Sequence, residues 1–208
     1  MEVNPPLTIV GCGPGDPDYL TPAADKAVAE AEVLVGTQRL LDLFPRHPGE
    51  KIPVGVNIDD VLEAVADRVQ RTIAILVTGD PGLASLARPV IRRFGRERCR
   101  IIPGISSLQV AFSRLGLDWL DARIIDAHGK DPDLGNDALN RPSKIAVLGG
   151  RPQSFEWLQR ELGDRLDDFQ VTICEDLTLA GERITPWQPG TVLDRELSSR
   201  VIFILVRK

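Results

Sequence analysis

Cysteine and histidine are scarce in this chain and it lacks a net positive charge, and each of these removes a class of function. Its three cysteines, Cys12, Cys99 and Cys174, are odd in number and unrelated in spacing. They fit neither a disulfide framework nor a zinc site and are expected to be small core residues. Only two histidines occur, with no clustered ligand spacing, so no metal cofactor is expected. The net charge of −5 argues against nucleic-acid binding, whose affinity comes largely from phosphate neutralisation. No hydrophobic run is long enough to span a bilayer and there is no basic-then-apolar leader, so the reading is of a cytoplasmic protein. Solenoid-length repeats and low-complexity segments are absent too. What remains is ordinary globular composition, 43% apolar and 26% charged, over 208 residues, a length that suits two modest domains.

Against that background one segment stands out. Val10, Gly11, Cys12, Gly13, Pro14, Gly15, Asp16 and Pro17 form a glycine loop stiffened by prolines, directly after the apolar run from Leu7. Three residues without a Cβ allow unusual backbone conformations and close approach to a ligand, while the prolines preset φ. Thr21 then Pro22, followed by alanines and Val28, predicts a capped helix with proline at its first position. A glycine turn between strand and helix is where open α/β sheets bind ligands, at the carboxyl ends of their strands. A dinucleotide fingerprint is not met: Asp16 stands where its third glycine belongs and would repel a pyrophosphate. The acidic residue expected after the second strand is missing as well, since Val33 to Gly36 runs on into Thr37 and Gln38. The same gap counts against an ordinary Rossmann-like methyltransferase.

Two further turns repeat the pattern. Thr72 to Val77 is strand-like and ends in Thr78, Gly79, Asp80, Pro81 and Gly82; Arg100 to Ile102 leads into Pro103, Gly104, Ile105, Ser106 and Ser107. In a parallel sheet these three turns would line one cleft. The clearest helix is expected to start at Asn57 as its cap and to run to Gln70, with Ile58, Val61, Leu62, Val65, Ala66 and Val69 on one face as core. The second half offers strands near 144–149, 169–175 and 200–206 and a helix from Gln153 to Leu162. Gly116 to Trp119 reads as the link, giving domains 1–116 and 117–208. Asp131 to Pro142 is polar and rich in breakers and reads as a loop at the cleft and its candidate gate.

On these pieces the chain resembles the tetrapyrrole (corrin and porphyrin) methylase family. The matches are Val10 to Pro17 with Leu20 and Thr21, Gly79 to Pro81, Pro103 to Ser107, Lys144 to Gly149, and Ile173 to Thr178 followed by Glu182, nearly the whole chain. The resemblance implies a two-domain α/β fold, each domain a sheet flanked by helices, with S-adenosylmethionine folded in the cleft between them. Gly36 to Arg39 and Ala127 to Lys130 point to the branch that methylates the C5 meso carbon of a corrin precursor. That branch tends to have Ser-Leu-His-Gly-Arg at the latter site, from which Asp126, Ala127 and Lys130 depart. A homodimer is implied.

By the same motif matching, Pro14, Gly79, Asp80, Ser106 and Ser107 should contact the cofactor, with Leu148 and Leu177 contributing from the second domain. Asp80 has capping of the next helix as its structural alternative. Conjugated pyrrole nitrogens push electron density to the attacking carbon, so a strong protein base is not obligatory. Asp16 and His128 are the candidates for proton management or substrate orientation; bonding to local turn amides is the other reading of Asp16, and packing that of His128. A substrate with acetate and propionate arms needs cations, and Arg39, Lys130 and Arg151 lie near proposed strand ends. The run Arg92, Arg93, Arg96, Arg98 and Arg100 reads as a solvated helix end. Alternatives are another tetrapyrrole methylase, a methylase of ribosomal RNA or of a modified protein histidine, and a non-catalytic tetrapyrrole carrier. Some relatives carry a second domain that methylates C15 and decarboxylates an acetate arm. Here Lys208 follows an apolar strand directly, so C5 methylation alone is expected, with a separate partner for C15.

Overall fold

The computed structural model describes residues 7–55, 57–134 and 142–208. The chain divides into two compact units, the first ending at Ser106 and the second starting at Ser107.

Unit 1 alternates strands and helices: β1 (Leu7–Gly11), α1 (Pro22–Ala29), β2 (Val33–Gly36), α2 (Gln38–Leu41), β3 (Glu50–Pro53), α3 (Ile58–Ala66), β4 (Ile73–Val77), α4 (Ala87–Phe94) and β5 (Cys99–Ile102). The strands form one sheet in the order β3-β2-β4-β1-β5, and every pair is parallel. A parallel sheet buried on both faces calls for near-continuous apolar strands, and β2 and β4 are buried at every residue. Successive side chains point to opposite faces. Leu7, Ile9, Ile73, Ile75 and Val77 therefore pack with Val61 and Val65 of α3 and Val90 of α4. Val10, Ala74 and Leu76 pack with Ala24, Ala27 and Val28 of α1 and Leu40 and Leu41 of α2. The expected caps hold: the Thr21 hydroxyl accepts the amide of Ala24 at 3.1 Å with Pro22 following, and the Asn57 side chain accepts that of Asp59 at 3.1 Å. α3 closes at Ala66, before the expected Gln70.

Unit 2 comprises α5 (Ser107–Arg114), β6 (Ala122–Asp126), β7 (Lys144–Leu148), α6 (Gln153–Leu162), β8 (Phe169–Glu175), β9 (Arg183–Trp187) and β10 (Val201–Arg207). Its sheet runs β6-β7-β10-β8-β9, parallel only between β6 and β7. One face packs Ile145, Val147, Val171, Ile173 and Phe203 against Phe155, Trp157 and Leu158 of α6. Phe155 sits at the centre of that layer, edge-on to Trp187 at 5.1 Å and stacked on Phe203 at 5.2 Å. α5 packs on β10. That packing takes α5 out of the first half, where the link at residues 116–119 would have left it.

Candidate cofactor site

In unit 1 the carboxyl ends of β4, β1 and β5 are adjacent, so the three glycine turns meet. The amide of Cys12 donates to the carbonyl of Val77 at 2.9 Å, continuing the β1–β4 ladder by one step. Beyond it Gly13 and Gly79 form an isolated bridge, with the Gly79 amide donating to the Gly13 carbonyl at 2.7 Å. Both residues are left-handed, at φ 75° and 67°, a conformation glycine adopts without strain. The three chains come closer still at Gly11 and Gly104. A Cβ on Gly11 would lie 2.6 Å from the Gly104 nitrogen and 2.7 Å from the Gly79 oxygen, and one on Gly104 would lie 2.7 Å from the Gly11 oxygen. These two glycines are demanded by contact between the turns themselves, before any ligand is considered.

Asp80 is the side chain that ties the turns together. Its Oδ1 accepts the amide of Gly82 at 2.7 Å and its Oδ2 the amide of Gly104 at 3.0 Å. It does not cap the following helix, which starts at Ala87 after Leu86. Pro14 is buried in the first turn, Ser106 is 5% exposed in the third, and Ser107 opens α5. Asp16 caps the short 3-10 turn Pro17–Tyr19, its Oδ1 accepting the amide of Asp18 at 2.8 Å. Arg39 donates from Nη2 to the Thr78 hydroxyl at 2.8 Å, which carries a cation from the segment after β2 to the β4 turn. Cys12 lies inside the loop with its thiol pushed up to about 12 by burial, partly offset by the main chain of Val77 and by Arg39. A buried neutral thiol is packing, not a nucleophile.

Two open surface concavities of unit 1, about 600 and 540 Å³, are lined by residues of 25–48 and 38–53 and by none of the turn residues. Neither coincides with the turns.

In unit 2, Leu148 ends β7 and is 6% exposed, and Leu177 follows β8 and is 4% exposed. Leu177 stands between two left-handed non-glycine residues, Asp176 at φ 47° and Thr178 at φ 69°. His128 and Lys130 are exposed. The His128 amide donates to Asp126 Oδ1 at 3.0 Å, and its ring lies against Gly150, whose Cβ would fall 2.9 Å from it. Arg151 is engaged within the protein: Nε donates to the Ala127 carbonyl at 3.2 Å and Nη2 to Asp131 at 2.6 Å, while Arg160 takes the other Asp131 oxygen at 2.9 Å. The Asp131 to Pro142 segment named as a gate falls partly outside the described residues, which stop at 134 and resume at 142.

Sequence reasoning missed the role of Glu182, a motif match with no assigned task; it binds Arg114 and the Thr178 amide. Among the described residues no three His, Cys, Asp or Glu side chains converge as a metal would require, and no helix is long and apolar enough to cross a membrane.

Comparison with known proteins agrees with this architecture. The family model for tetrapyrrole (corrin/porphyrin) methylases matches residues 6–192. The cobalt-precorrin-7 C(5)-methyltransferase of Salmonella typhimurium is 33% identical over 204 residues, 96% of this chain and 98% of that protein. The cobalamin biosynthesis precorrin-6Y methylase of Archaeoglobus fulgidus superposes with a TM-score of 0.74 at 25% identity, covering 98% of each chain. A uroporphyrin-III C-methyl transferase of Thermus thermophilus, solved with S-adenyl homocysteine, gives a TM-score of 0.77 at 24% identity and covers 97% of each chain. With three glycine turns joined at the strand ends and a family match spanning almost the whole chain, this protein belongs to the tetrapyrrole methylases.

Proposed function

We propose that this methylase transfers one methyl group from S-adenosylmethionine to C5 of a corrin precursor. The observation that carries the reading is the convergence of the turns after β1, β4 and β5, bridged at Gly13 and Gly79, in a chain similar over its length to a C(5)-methyltransferase. S-adenosylmethionine supplies a methyl group already activated on a sulfonium, so the protein's task is positioning. The turns suit that ligand. They offer main chain, small side chains and the carboxylates of Asp16 and Asp80, a set that opposes a pyrophosphate and tolerates a cation. Pro14, Gly79, Asp80, Ser106 and Ser107 are the proposed cofactor residues, with Leu148 and Leu177. The Asp80 carboxylate accepts one amide on each oxygen and keeps acceptor capacity beyond them, so its main chain and its side chain are both offered to the ligand.

In the transfer the new C–C bond forms as the S–CH3 bond breaks, and the sulfonium becomes a neutral thioether. Electron density comes from the conjugated pyrrole nitrogens. His128, with its exposed ring, is the candidate to accept or orient the proton released, and Asp16 the second. Arg39 and Lys130 are the proposed partners of the substrate carboxylates. Arg151 joins them only by sharing its guanidinium with Asp131. We propose a homodimer in the cytoplasm.

Calorimetry with S-adenosylmethionine and NAD tests the cofactor, and mass spectrometry of the corrinoid product tests the reaction. A gain of one methyl without loss of carbon dioxide is the expected product; two methyls or decarboxylation contradict the reading. Light scattering of the purified protein measures the dimer.

A further inference from the structure

The backbone around Leu177 is unusual. Left-handed φ is uncommon outside glycine, and for a β-branched residue such as Thr178 it marks a conformation that the surroundings must impose. Such outliers gather at ligand clamps. Both sides of this turn are held by side chains. On one side, Asp176 Oδ1 accepts the Arg200 Nε at 2.7 Å and the Ser198 hydroxyl at 2.9 Å. On the other, Glu182 Oε2 accepts the Thr178 amide at 2.6 Å. The same Glu182 carboxylate takes the Arg114 guanidinium as a fork, with Nε at 2.7 Å to Oε1 and Nη2 at 3.4 Å to Oε2.

Arg114 is the last residue of α5, and Ser107 is the first. The helix is a rod of about 10 Å between them. One carboxylate thus joins the end of the helix that begins at Ser107 to the turn that presents Leu177, across 68 residues of sequence. The Arg114 fork, with the Thr178 amide and against the effect of burial, holds the Glu182 carboxyl below the usual carboxylate range. The link is therefore charged at neutral pH.

We propose that Glu182 is a positioning residue for the cofactor: it holds the left-handed turn around Leu177 in ligand-meeting form and keeps it in register with the start of α5. The inference rests on the reading above that Ser107 and Leu177 contact S-adenosylmethionine. Glu182 itself does not touch the ligand, and its effect passes through Thr178 and Arg114.

The test is calorimetric titration of the full chain with S-adenosylhomocysteine, well below the melting transition, for wild type, E182A, E182Q and E182A/T178G. Removal of an ionised acceptor from a part-buried amide predicts a loss of affinity of about ten-fold or more in E182A. E182Q loses less, because its single side-chain oxygen can still accept the Thr178 amide while the Arg114 fork is lost. KM for the cofactor rises more than kcat at saturation falls. Glycine adopts the left-handed region without help, so T178G recovers part of the affinity in the double variant. If E182A does not fold, E182Q carries the comparison. A lowered melting temperature with unchanged affinity in the folded protein means a purely structural role and overturns the inference, as does a loss that glycine at 178 fails to relieve. A wild-type chain that binds no S-adenosylhomocysteine overturns the functional reading and this inference together.

Discussion

Asp80 accepts the amide of Gly104 across 24 residues of sequence at 3.0 Å, while its other oxygen holds Gly82. One carboxylate therefore sets the spacing between the turn after β4 and the turn after β5, on either side of β1. Asp80, proposed above to meet the cofactor, also braces the main chain on either side of it.

Replacing Asp80 tests the brace. D80A leaves two amides without their acceptor at a half-buried position, a loss of about 1–3 kcal/mol. D80N retains a single oxygen and can serve one amide only, so it should fall between D80A and wild type in both thermal stability and S-adenosylhomocysteine affinity. Identical melting of D80N and wild type would remove the brace from the account.

Glycine at 104 is required by the neighbouring chains, and glycine at 129 is not. The Cβ of G104A would meet the Gly11 oxygen at 2.7 Å, whereas that of G129A would meet nothing within 4 Å. G104A should lose about 1–3 kcal/mol of stability and weaken cofactor binding, and G129A should stay within about 0.5 kcal/mol of wild type. Paired denaturant melts of the two variants give the comparison directly.

The thiols should be silent in the native protein. Burial pushes Cys12 and Cys174 up to about 12 and raises Cys99 as well, and all three are shielded from solvent. Only a thiolate reacts at a useful rate. A disulfide reagent at pH 8 should therefore find no fast-reacting thiol in the folded chain and three after denaturation; a rapid native reaction would contradict the packing of the glycine loop.

Acid should destabilise unit 2 through Glu175. Burial opposes the charge, but Arg195, the Ser198 amide and Arg183 outweigh it and hold the carboxyl below its usual range. A carboxylate with a depressed folded-state pKa adds stability above its unfolded pKa, about 4.3, and loses it as pH falls through the folded value. Denaturation midpoints should stay level from neutrality to about pH 5.5 and then fall towards acid. E175Q should be less stable at pH 7 by about 3 kcal/mol, because it leaves Arg195 without its charged partner, and should show a shallower acid decline. An unchanged acid profile in E175Q would assign that decline to other carboxylates.

Legibility in the sequence followed the range of the interactions. Thr21 with Pro22, and Asn57 before Ile58, announce helices because a cap is a contact over two or three residues. β1, β2 and β4 announce themselves because a strand buried on both faces must be apolar throughout. β3 and β9 escaped notice. Both are edge strands with mixed burial, and their pairing comes from β2 and β8 rather than from their own side chains. The Arg151–Asp131 pair was not legible, because Asp131 lies 20 residues away in sequence yet on the guanidinium in space.

By itself, then, the sequence determined the α/β class, the glycine turns with their preset backbone, and the family they belong to, since these depend on steric and periodic properties of neighbouring residues. Only the tertiary structure decided that α5 goes with the second unit, that Asp80 braces Gly104, and that Glu182 joins Arg114 to a strained turn. A carboxylate's partner is chosen by which chain ends a sheet brings side by side. That choice depends on strand order, which no local stretch of sequence encodes.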